Sequence, residues 1–290
     1  MSRAAHRKPV VAIVAAGSMG AAVGAQLADR GATVLTSVGE RSAATRERAR
    51  MAGMTEASDE ELVRADFVLS IVPPAAALPL AERLAASLAA SSTKPLYIDC
   101  NAVSPATVQR IGDCIVRAGA PFVDAGIIGP PPREGSPGPS FYASGTDAPR
   151  FEALSEYGLE TRVLEGPIGA ASALKMSYAG ITKGLVAAGT AMLLAATRYG
   201  VADALRAELE ESQASLIASL RRSVPGMFPK AYRWVAEMQE IASFAGEDPA
   251  AEELYRGAAE LYARIARDFA GDRAEVQRLE KALSLLSARN

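Results

Sequence analysis

The chain has 290 residues, 49% hydrophobic and 22% charged, which suits a soluble globular protein of one large or two medium domains. Its formal net charge of -2 gives no reason to expect nucleic acid or an anionic membrane as a partner. One histidine, His6, and two cysteines argue against histidine catalysis and a metal site, and they fit a reduced compartment. We recognise neither a signal peptide nor an apolar run long enough to cross a bilayer, and therefore expect a cytoplasmic protein.

The first predicted element is a strand over residues 9–15, because a continuous apolar run is typical of a strand buried on both faces. A glycine turn leads from it into an alanine-rich helix that Gly31 stops. Strand, glycine turn and helix in this order predict a dinucleotide site, in which the helix N-terminus attracts the pyrophosphate. The predicted contacts are Gly17, Ser18, Met19 and Gly20. A tight turn without a ligand is the alternative interpretation.

The end of the second predicted strand, residues 32–37, bears on the choice of cofactor. NAD-binding domains usually place an acidic residue there to accept a hydrogen bond from the ribose 2′-hydroxyl. Here Arg41 and Ser42 can hold a 2′-phosphate through a charge-assisted hydrogen bond and a hydroxyl at a helix start. Glu40 could serve a ribose instead, and Arg41 could be an ordinary surface arginine. We favour NADPH over NADH.

Two further buried strands are predicted over residues 66–72 and 96–100. Strand ends of a doubly wound sheet face the dinucleotide, so Val72 and Pro73 are expected to border the cofactor. Ser104 stands before a proline and suits a helix N-cap, a role that alone could explain it. Asn101 has no such duty and could face the cofactor or a substrate.

A strand over residues 121–125 leads into the segment richest in glycine and proline, residues 126–139. In the functional interpretation this segment is a pocket wall, where Gly126 and Gly129 let a substrate approach the backbone. A stiff surface loop is the alternative. Two more strands, over 141–144 and 161–164, flank a short helix.

A long helix is predicted over residues 169–198, where apolar residues recur at helical spacing without a proline. Lys175 and Tyr178 share one of its faces, so Lys175 is either a solvated lysine or a catalytic acid/base. The remaining chain is predicted to be helical, over 201–222, from Lys230 onward, 248–269 and 273–287, with residues 225–229 as a break. Lys230 and Trp234 share a helix face that either grips an anionic substrate or is simply solvated.

Four segments, taken in order, carry a family resemblance. They are Ala15-x-Gly17-x-Met19-Gly20, Asp99-Cys-Asn101-Ala-Val-Ser104-Pro105, Asp124-Ala-Gly126-Ile-Ile-Gly129 and Gly166-x-x-Gly169-x-Ala171-x-x-x-Lys175. With them the chain resembles the β-hydroxyacid dehydrogenase superfamily, and more narrowly the 6-phosphogluconate-dehydrogenase-like oxidoreductases with a short helical C-terminal domain. The resemblance implies a Rossmann-type doubly wound α/β sheet, a long connecting helix and an all-α C-terminal domain. It also implies that Lys175 is the general acid/base.

We therefore expect a dinucleotide-binding domain over 1–165, a connecting helix over 166–199 and a helical substrate and dimerisation domain over 200–290. The expected function is that of an NADPH-dependent oxidoreductase acting on a small hydroxy or oxo compound. An imine reductase on the same scaffold and a non-catalytic dinucleotide-binding protein are the alternatives. A homodimer is expected, because apolar residues surround the long helix widely and because related dehydrogenases pair through their helical domains.

Overall fold

The computed structural model describes residues 7–39, 41–133, 135 and 138–284. His6, Glu40 and three residues of the glycine- and proline-rich segment, Glu134, Ser136 and Pro137, lie outside the described residues. The chain divides into two compact units, with the boundary between Met176 and Ser177. That boundary falls inside a single long helix, near its N-terminal end.

The first unit is built on one sheet of eight strands. In chain order they are β1 Val10–Val14, β2 Thr33–Thr36, β3 Thr55–Glu56, β4 Phe67–Ser70, β5 Leu96–Asp99, β6 Phe122–Ile128, β7 Ser140–Ser144 and β8 Glu160–Val163. Their spatial order is β3-β2-β1-β4-β5-β6-β7-β8. All neighbours are parallel except β6 and β7, which run antiparallel.

Helices cover both faces of this sheet. They are α1 Ser18–Asp29, α2 Ala43–Met51, α3 Asp59–Leu62, α4 Pro74–Ala90, α5 Pro105–Arg117 and α6 Ala148–Phe151. Successive strand residues point to opposite faces, so Val11 and Ile13 join one core with α1, α2 and α6. Ala12 and Val14 join the other core with α3, α4 and α5. The predicted doubly wound α/β architecture is confirmed.

Two differences from the predicted strands have a physical cause. β6 continues to Ile128, three residues beyond the predicted end, because its last residues pair antiparallel with β7. Part of the supposed glycine-rich loop is therefore strand. The two-residue edge strand β3 is absent from the prediction, since Thr55 and Glu56 are exposed and carry no apolar signal.

In the described part of the second unit, the regular secondary structure is all helical. Its helices are the greater part of α7 Ala170–Arg198, then α8 Ala202–Ser212, α9 Ala214–Met227, α10 Ala231–Phe244, α11 Pro249–Ala270 and α12 Ala274–Leu283. The single helix predicted over 201–222 is wrong, because the backbone leaves the helical region at Gln213 (φ -138°, ψ 49°). The predicted break at Pro225 is also displaced. Pro225 lies within the last turn of α9, where a missing N–H removes just one hydrogen bond.

The long helix α7 also changes one expectation about membranes. Its 29 residues include an 18-residue window of mean hydropathy 1.5, so by length and composition it could cross a bilayer. The expectation that the chain contains no such run is therefore wrong. The core helix of a soluble protein passes the same test, and 44% of this window is buried inside the protein.

Candidate active site

The glycine turn after β1 has the geometry of an anion site. Ala15, at the first glycine position of the usual pattern, keeps the left-handed backbone that glycine would adopt (φ 73°). Gly20 must lack a side chain, because a Cβ there would lie 2.4 Å from the Ala15 carbonyl oxygen. A Cβ on Gly17 would meet only open space, and α1 begins there without a side-chain cap. The start of α1 therefore has no side-chain cap and has open space beside it, as a pyrophosphate site would require.

The predicted 2′-phosphate residues lie on the surface after β2. Arg41 and Ser42 are both exposed. Ser42 caps α2, accepting a hydrogen bond of 3.3 Å from the Thr45 amide. The guanidinium of Arg46 donates to the Arg41 carbonyl and so braces this loop.

One row of the sheet connects the glycine turn to the predicted substrate segments. Across neighbouring parallel strands, Val14 pairs with Ser70, Ser70 with Asp99, and Asp99 with Asp124. Val14, Ser70 and Asp99 are each the last residue of their strand, and Asp124 is the residue of β6 at which the parallel pairing with β5 ends. Ligands of open α/β sheets bind at this edge. The row therefore brings the predicted cofactor and substrate segments of the first unit to one edge.

Asn101 has a structural duty that the sequence did not reveal. Its side chain is nearly inaccessible and its Oδ1 accepts a 2.7 Å hydrogen bond from the Val72 amide. Its Nδ2 donates to Ser70 Oγ at 2.7 Å and to Asp99 Oδ2 at 2.8 Å. The two amide hydrogens are thus committed inside the protein. A ligand that contacts Asn101 would have to use the amide oxygen.

Asp99 is a buried carboxyl group at the end of β5. Burial raises its pKa to about 7, against hydrogen bonds from Asn101 that lower it, while nearby Asp124 raises it further. Burial likewise raises the pKa of the neighbouring Tyr97 phenol and Cys100 thiol. Of these three groups, Asp99 alone is brought into the range of physiological pH.

Ser104 is the N-cap of α5, as the sequence predicts. Its hydroxyl accepts from the Thr107 amide at 3.3 Å and contacts the Thr107 hydroxyl at 3.0 Å. Ser104 is 1% exposed. The capping role therefore accounts for its conformation, and a direct substrate contact stays a prediction.

Asp124 attaches the sheet to the start of α7. Its buried carboxylate accepts hydrogen bonds from the Gly169 and Ser172 amides at 2.9 and 3.1 Å. The hydroxyls of Ser172 and Ser144 donate to it at 2.7 and 3.0 Å. Ser144 also accepts from the Ala171 amide at 3.0 Å. A negative charge at a helix N-terminus is stabilised by both the amides and the helix dipole.

Lys175 follows one turn after this anchor, and it packs against β6. A Cβ on Gly126 would lie 3.0 Å from both the Ala171 carbonyl oxygen and Lys175 Cβ. Glycine at 126 therefore lets α7 approach the strand closely. Lys175 itself is partly buried, which is compatible with a reactive lysine and less typical of a fully solvated one.

Gly129 lies just beyond β6 with φ 128°, where a Cβ would come 2.9 Å from Pro139 Cα. The chain therefore needs glycine at this position for its own path, before any substrate is considered.

The remaining predicted residues belong to the helical unit. Tyr178 is 50% exposed on α7, and Lys230 is exposed at the start of α10. Trp234 packs edge-on against buried Tyr262, with ring centroids 5.1 Å apart. The ammonium of Lys183 lies 5.1 Å above the indole and forms an ion pair with Glu237. Trp234 therefore has a packing role inside this unit.

Among the residues that the structure describes, no three His, Cys, Asp or Glu side chains are grouped so that they could hold a metal ion.

Two family models match parts of the chain. The model described as NADP oxidoreductase, coenzyme F420-dependent, matches residues 10–103, and a domain of unknown function (DUF1932) matches residues 196–265. An uncharacterized 28.5 kDa protein in the 7S RNA 5′ region of Methanothermus fervidus is 32% identical over 214 residues, which cover 73% of this chain and 81% of that protein.

A solved structure extends the likeness over most of the chain. It is that of a conserved protein of unknown function, described as structurally similar to 3-hydroxyacid dehydrogenases. The two chains are 31% identical with a TM-score of 0.67, over 90% of this chain and 98% of the other. The chain belongs to the β-hydroxyacid dehydrogenase-like NAD(P)-dependent oxidoreductases. The resemblance found in its four segments is thereby confirmed.

More distant structures share the fold of this oxidoreductase. A 3-hydroxyisobutyrate dehydrogenase of Mycobacterium tuberculosis is 20% identical, with a TM-score of 0.69 over 94% of this chain and 99% of that one. An imine reductase of Streptomyces aurantiacus is 18% identical, with a TM-score of 0.54 over 95% of this chain and 100% of that one. Enzymes that reduce different bonds therefore share this architecture.

Sequence reasoning missed the buried polar groups that organise this edge of the sheet. They are Ser70, Asp99, Asp124, Ser144 and Ser172. The available signal was a polar residue within an otherwise apolar strand, as in the Leu96–Asp99 and Phe122–Ile128 strands. Such residues are rarely buried unless they have partners.

The tight packing at Gly126 leads to the first prediction. Gly126→Ala should lower the free energy of unfolding by about 1–3 kcal/mol, because the new methyl group must push α7 away from β6. Chemical denaturation measures this change. The matched control is Gly17→Ala, whose methyl group meets open space and should change stability by less than about 1 kcal/mol. Equal effects of the two variants would contradict the packing argument.

Proposed function

We propose that this oxidoreductase uses NADPH and transfers hydride between the nicotinamide and the carbon of a small hydroxy or oxo compound, with Lys175 as general acid/base. The observation that carries the proposal is that Lys175 packs beside Gly126, at the same sheet edge as the uncapped start of α1. A proton donor and a dinucleotide cradle at one edge are what this chemistry needs.

In this proposal the protein residues hold the reactants and move one proton. Gly17, Ser18, Met19 and Gly20 bind the pyrophosphate, and Val72 with Pro73 borders the nicotinamide, which supplies or accepts the hydride when bound. Lys175 exchanges a proton with the substrate oxygen. Substrate contacts by Asn101, Ser104, Gly126, Gly129, Tyr178, Lys230 and Trp234 remain predictions. A small-molecule substrate and a cytoplasmic location complete the proposal.

Lys175→Met tests the acid/base role. We expect kcat to fall by about 10²–10⁴, the usual range for a lost acid/base, while the Kd for NADPH stays unchanged. Lys175→Arg is the sharper comparison, because arginine keeps the positive charge and does not release its proton. We expect kcat to fall by a similar factor in both variants. A lysine that serves only to attract an anionic substrate would instead be replaced well by arginine.

Arg41→Ala tests the cofactor preference. Loss of one charge-assisted hydrogen bond to the 2′-phosphate should raise the Kd for NADPH by roughly 10–100-fold and barely change that for NADH. Fluorescence titration with both cofactors measures the two constants. The matched control is Arg50→Ala, because Arg50 is an exposed arginine on the neighbouring helix α2 and pairs with Glu47. An equal rise in Kd for NADPH and NADH would show that Arg41 does not bind the 2′-phosphate.

A C=N bond is the second candidate for reduction, because imine reductases share the fold. Lysine at position 175 favours a hydroxy or oxo compound, since related imine reductases usually carry aspartate or tyrosine there. Turnover of a hydroxyacid panel with NADP⁺ and of an amine and ketone panel with NADPH separates the two. No turnover in either panel, with NADPH still bound, would favour the non-catalytic dinucleotide-binding protein.

The proposed assembly is a homodimer that buries the outer face of α7. Side chains on this face follow one another in steps of four and three, the spacing of a helix-pairing seam. They are Leu174, Tyr178, Ile181, Leu185, Ala188, Met192, Ala195 and Tyr199. Ile181, Leu185 and Met192 are 64%, 56% and 61% exposed. Beside the seam, Gly184, Ala188 and Gly257 line an apolar groove between α7 and α11. A second copy is the commonest partner for such a surface.

Leu185→Glu should convert the dimer into a monomer, because a carboxylate would be buried without a partner in the seam. Light scattering at micromolar concentration measures the mass. Thr182→Glu places the same charge at an exposed position of α7 outside the seam, and should leave the dimer intact. A parent protein that is monomeric and fully active would contradict the proposed assembly.

A further inference from the structure

The turn between β4 and α4 depends on a side-chain hydrogen bond for its position. It comprises Ile71, Val72 and Pro73, and Pro73 has no N–H to donate. The Val72 amide is bound by a side chain from the neighbouring strand end, at 2.7 Å from Asn101 Oδ1. This turn is the one that the proposed function assigns to the border of the nicotinamide.

The orientation of the Asn101 amide is decided by its neighbours. The Val72 N–H is a donor, so it must face the amide oxygen. The Asp99 carboxylate accepts from Asn101 twice, from the backbone amide at 3.1 Å and from Nδ2 at 2.8 Å. Protonation of Asp99 would remove the negative charge that strengthens both hydrogen bonds, and asparagine at position 99 would also turn one acceptor into a donor that faces another donor. The carboxylate therefore stabilises the orientation of Asn101 in which its amide oxygen accepts from the Val72 N–H.

We propose that Asp99 and Asn101 are positioning residues for the cofactor: the Asp99 carboxylate fixes the Asn101 amide, which holds Val72 and the turn that borders the nicotinamide. The proposal rests on the proposed NADPH site. It assigns no contact between Asp99 and the cofactor, because Asp99 is 1% exposed. Its action is transmitted through two hydrogen bonds.

The proposal predicts a pH dependence of cofactor binding. Burial raises the pKa of Asp99 to about 7. The groups that act on it are Ser70 on β4, Tyr97 and Asn101 on its own segment, and Asp124 on β6. Above this pKa the carboxylate is ionised and accepts both hydrogen bonds from Asn101 at full strength. Below it Asp99 is protonated and these hydrogen bonds weaken. NADPH should therefore bind more tightly as pH rises through about 7.

The test measures the Kd of NADPH from pH 5.5 to 8.5 for the full-length protein and for Asp99→Asn. The parent Kd should fall roughly 10–100-fold across this range, the effect of one hydrogen bond to a charged group. Asp99→Asn should bind as the parent does at its acidic limit, at every pH. The 2′-phosphate of NADPH itself titrates near pH 6, but equally for both proteins, so the ratio of their Kd values reports Asp99.

Ser70→Ala is the matched control. It removes one hydrogen bond of Asn101 and one that lowers the pKa of Asp99, and it leaves the Asp99, Asn101 and Val72 connection in place. The change of Kd with pH should therefore persist, with its midpoint at a higher pH. A melting temperature for each variant separates loss of fold from loss of positioning.

Two results would overturn the proposal. One is a ratio of parent to Asp99→Asn Kd that does not change with pH. The other, which needs no variant, is a parent Kd that does not fall between pH 6.5 and 8.5, above the phosphate titration. A parent protein that binds no NADPH at any pH would instead overturn the proposed function, and this proposal with it.

Discussion

The arrangement of the candidate site depends on the hydrogen bonds between the Asp124 carboxylate and the start of α7. A buried carboxylate is tolerated only where donors replace the lost water, and Asp124 receives four hydrogen bonds, three of them from the first turn of α7 and its preceding glycine. These bonds fix the first turn of α7 on the sheet. Lys175, one turn later, then has a single position relative to Gly126. A lysine on a loosely attached helix could not be placed so narrowly, and an acid/base group must be placed within hydrogen-bond reach of the atom that it protonates.

A second buried carboxylate lies beside the first, because Asp99 and Asp124 are paired in the register of β5 and β6. Two like charges on neighbouring strands repel each other, and the fold distributes the donors unequally between them. Asp124 accepts from two helix amides and two hydroxyls, whereas Asp99 accepts from the backbone amide and side chain of Asn101 and from the Ser70 hydroxyl. The neighbouring charge contributes to the raised pKa of Asp99. Burial of Asp99 is the larger cause, and the carboxylate that anchors α7 adds to it.

The sequence predicts the scaffold well, since strands such as β1 and β4 are continuous apolar runs and α7 has sustained helical periodicity. It does not predict the separation of α8 from α9, because Gln213 is neither glycine nor proline and only tertiary packing can set its backbone. The contacts of the candidate site are harder still to predict from the sequence. Ser172 and Asp124 are 48 residues apart in sequence, and Val72 and Asn101 are 29 apart, so their hydrogen bonds carry no local pattern. Asn101 illustrates the consequence, because without its partners it seemed to have no structural duty.

The proposed preference for NADPH has a second argument in the sheet, besides Arg41. β1 and β2 are parallel neighbours, and each is followed at its carboxyl end by a helix, α1 or α2. The N-terminus of each helix favours an anion, and Arg41 stands directly before the cap of α2. NADH has its anionic charge at the pyrophosphate, which suits the start of α1 and leaves the start of α2 without a phosphate. NADPH has a second anion on the adenosine ribose, and two neighbouring helix starts can then each meet one. Ser42 remains compatible with this role while capping α2, because the oxygen that accepts from the Thr45 amide still carries a hydrogen to donate.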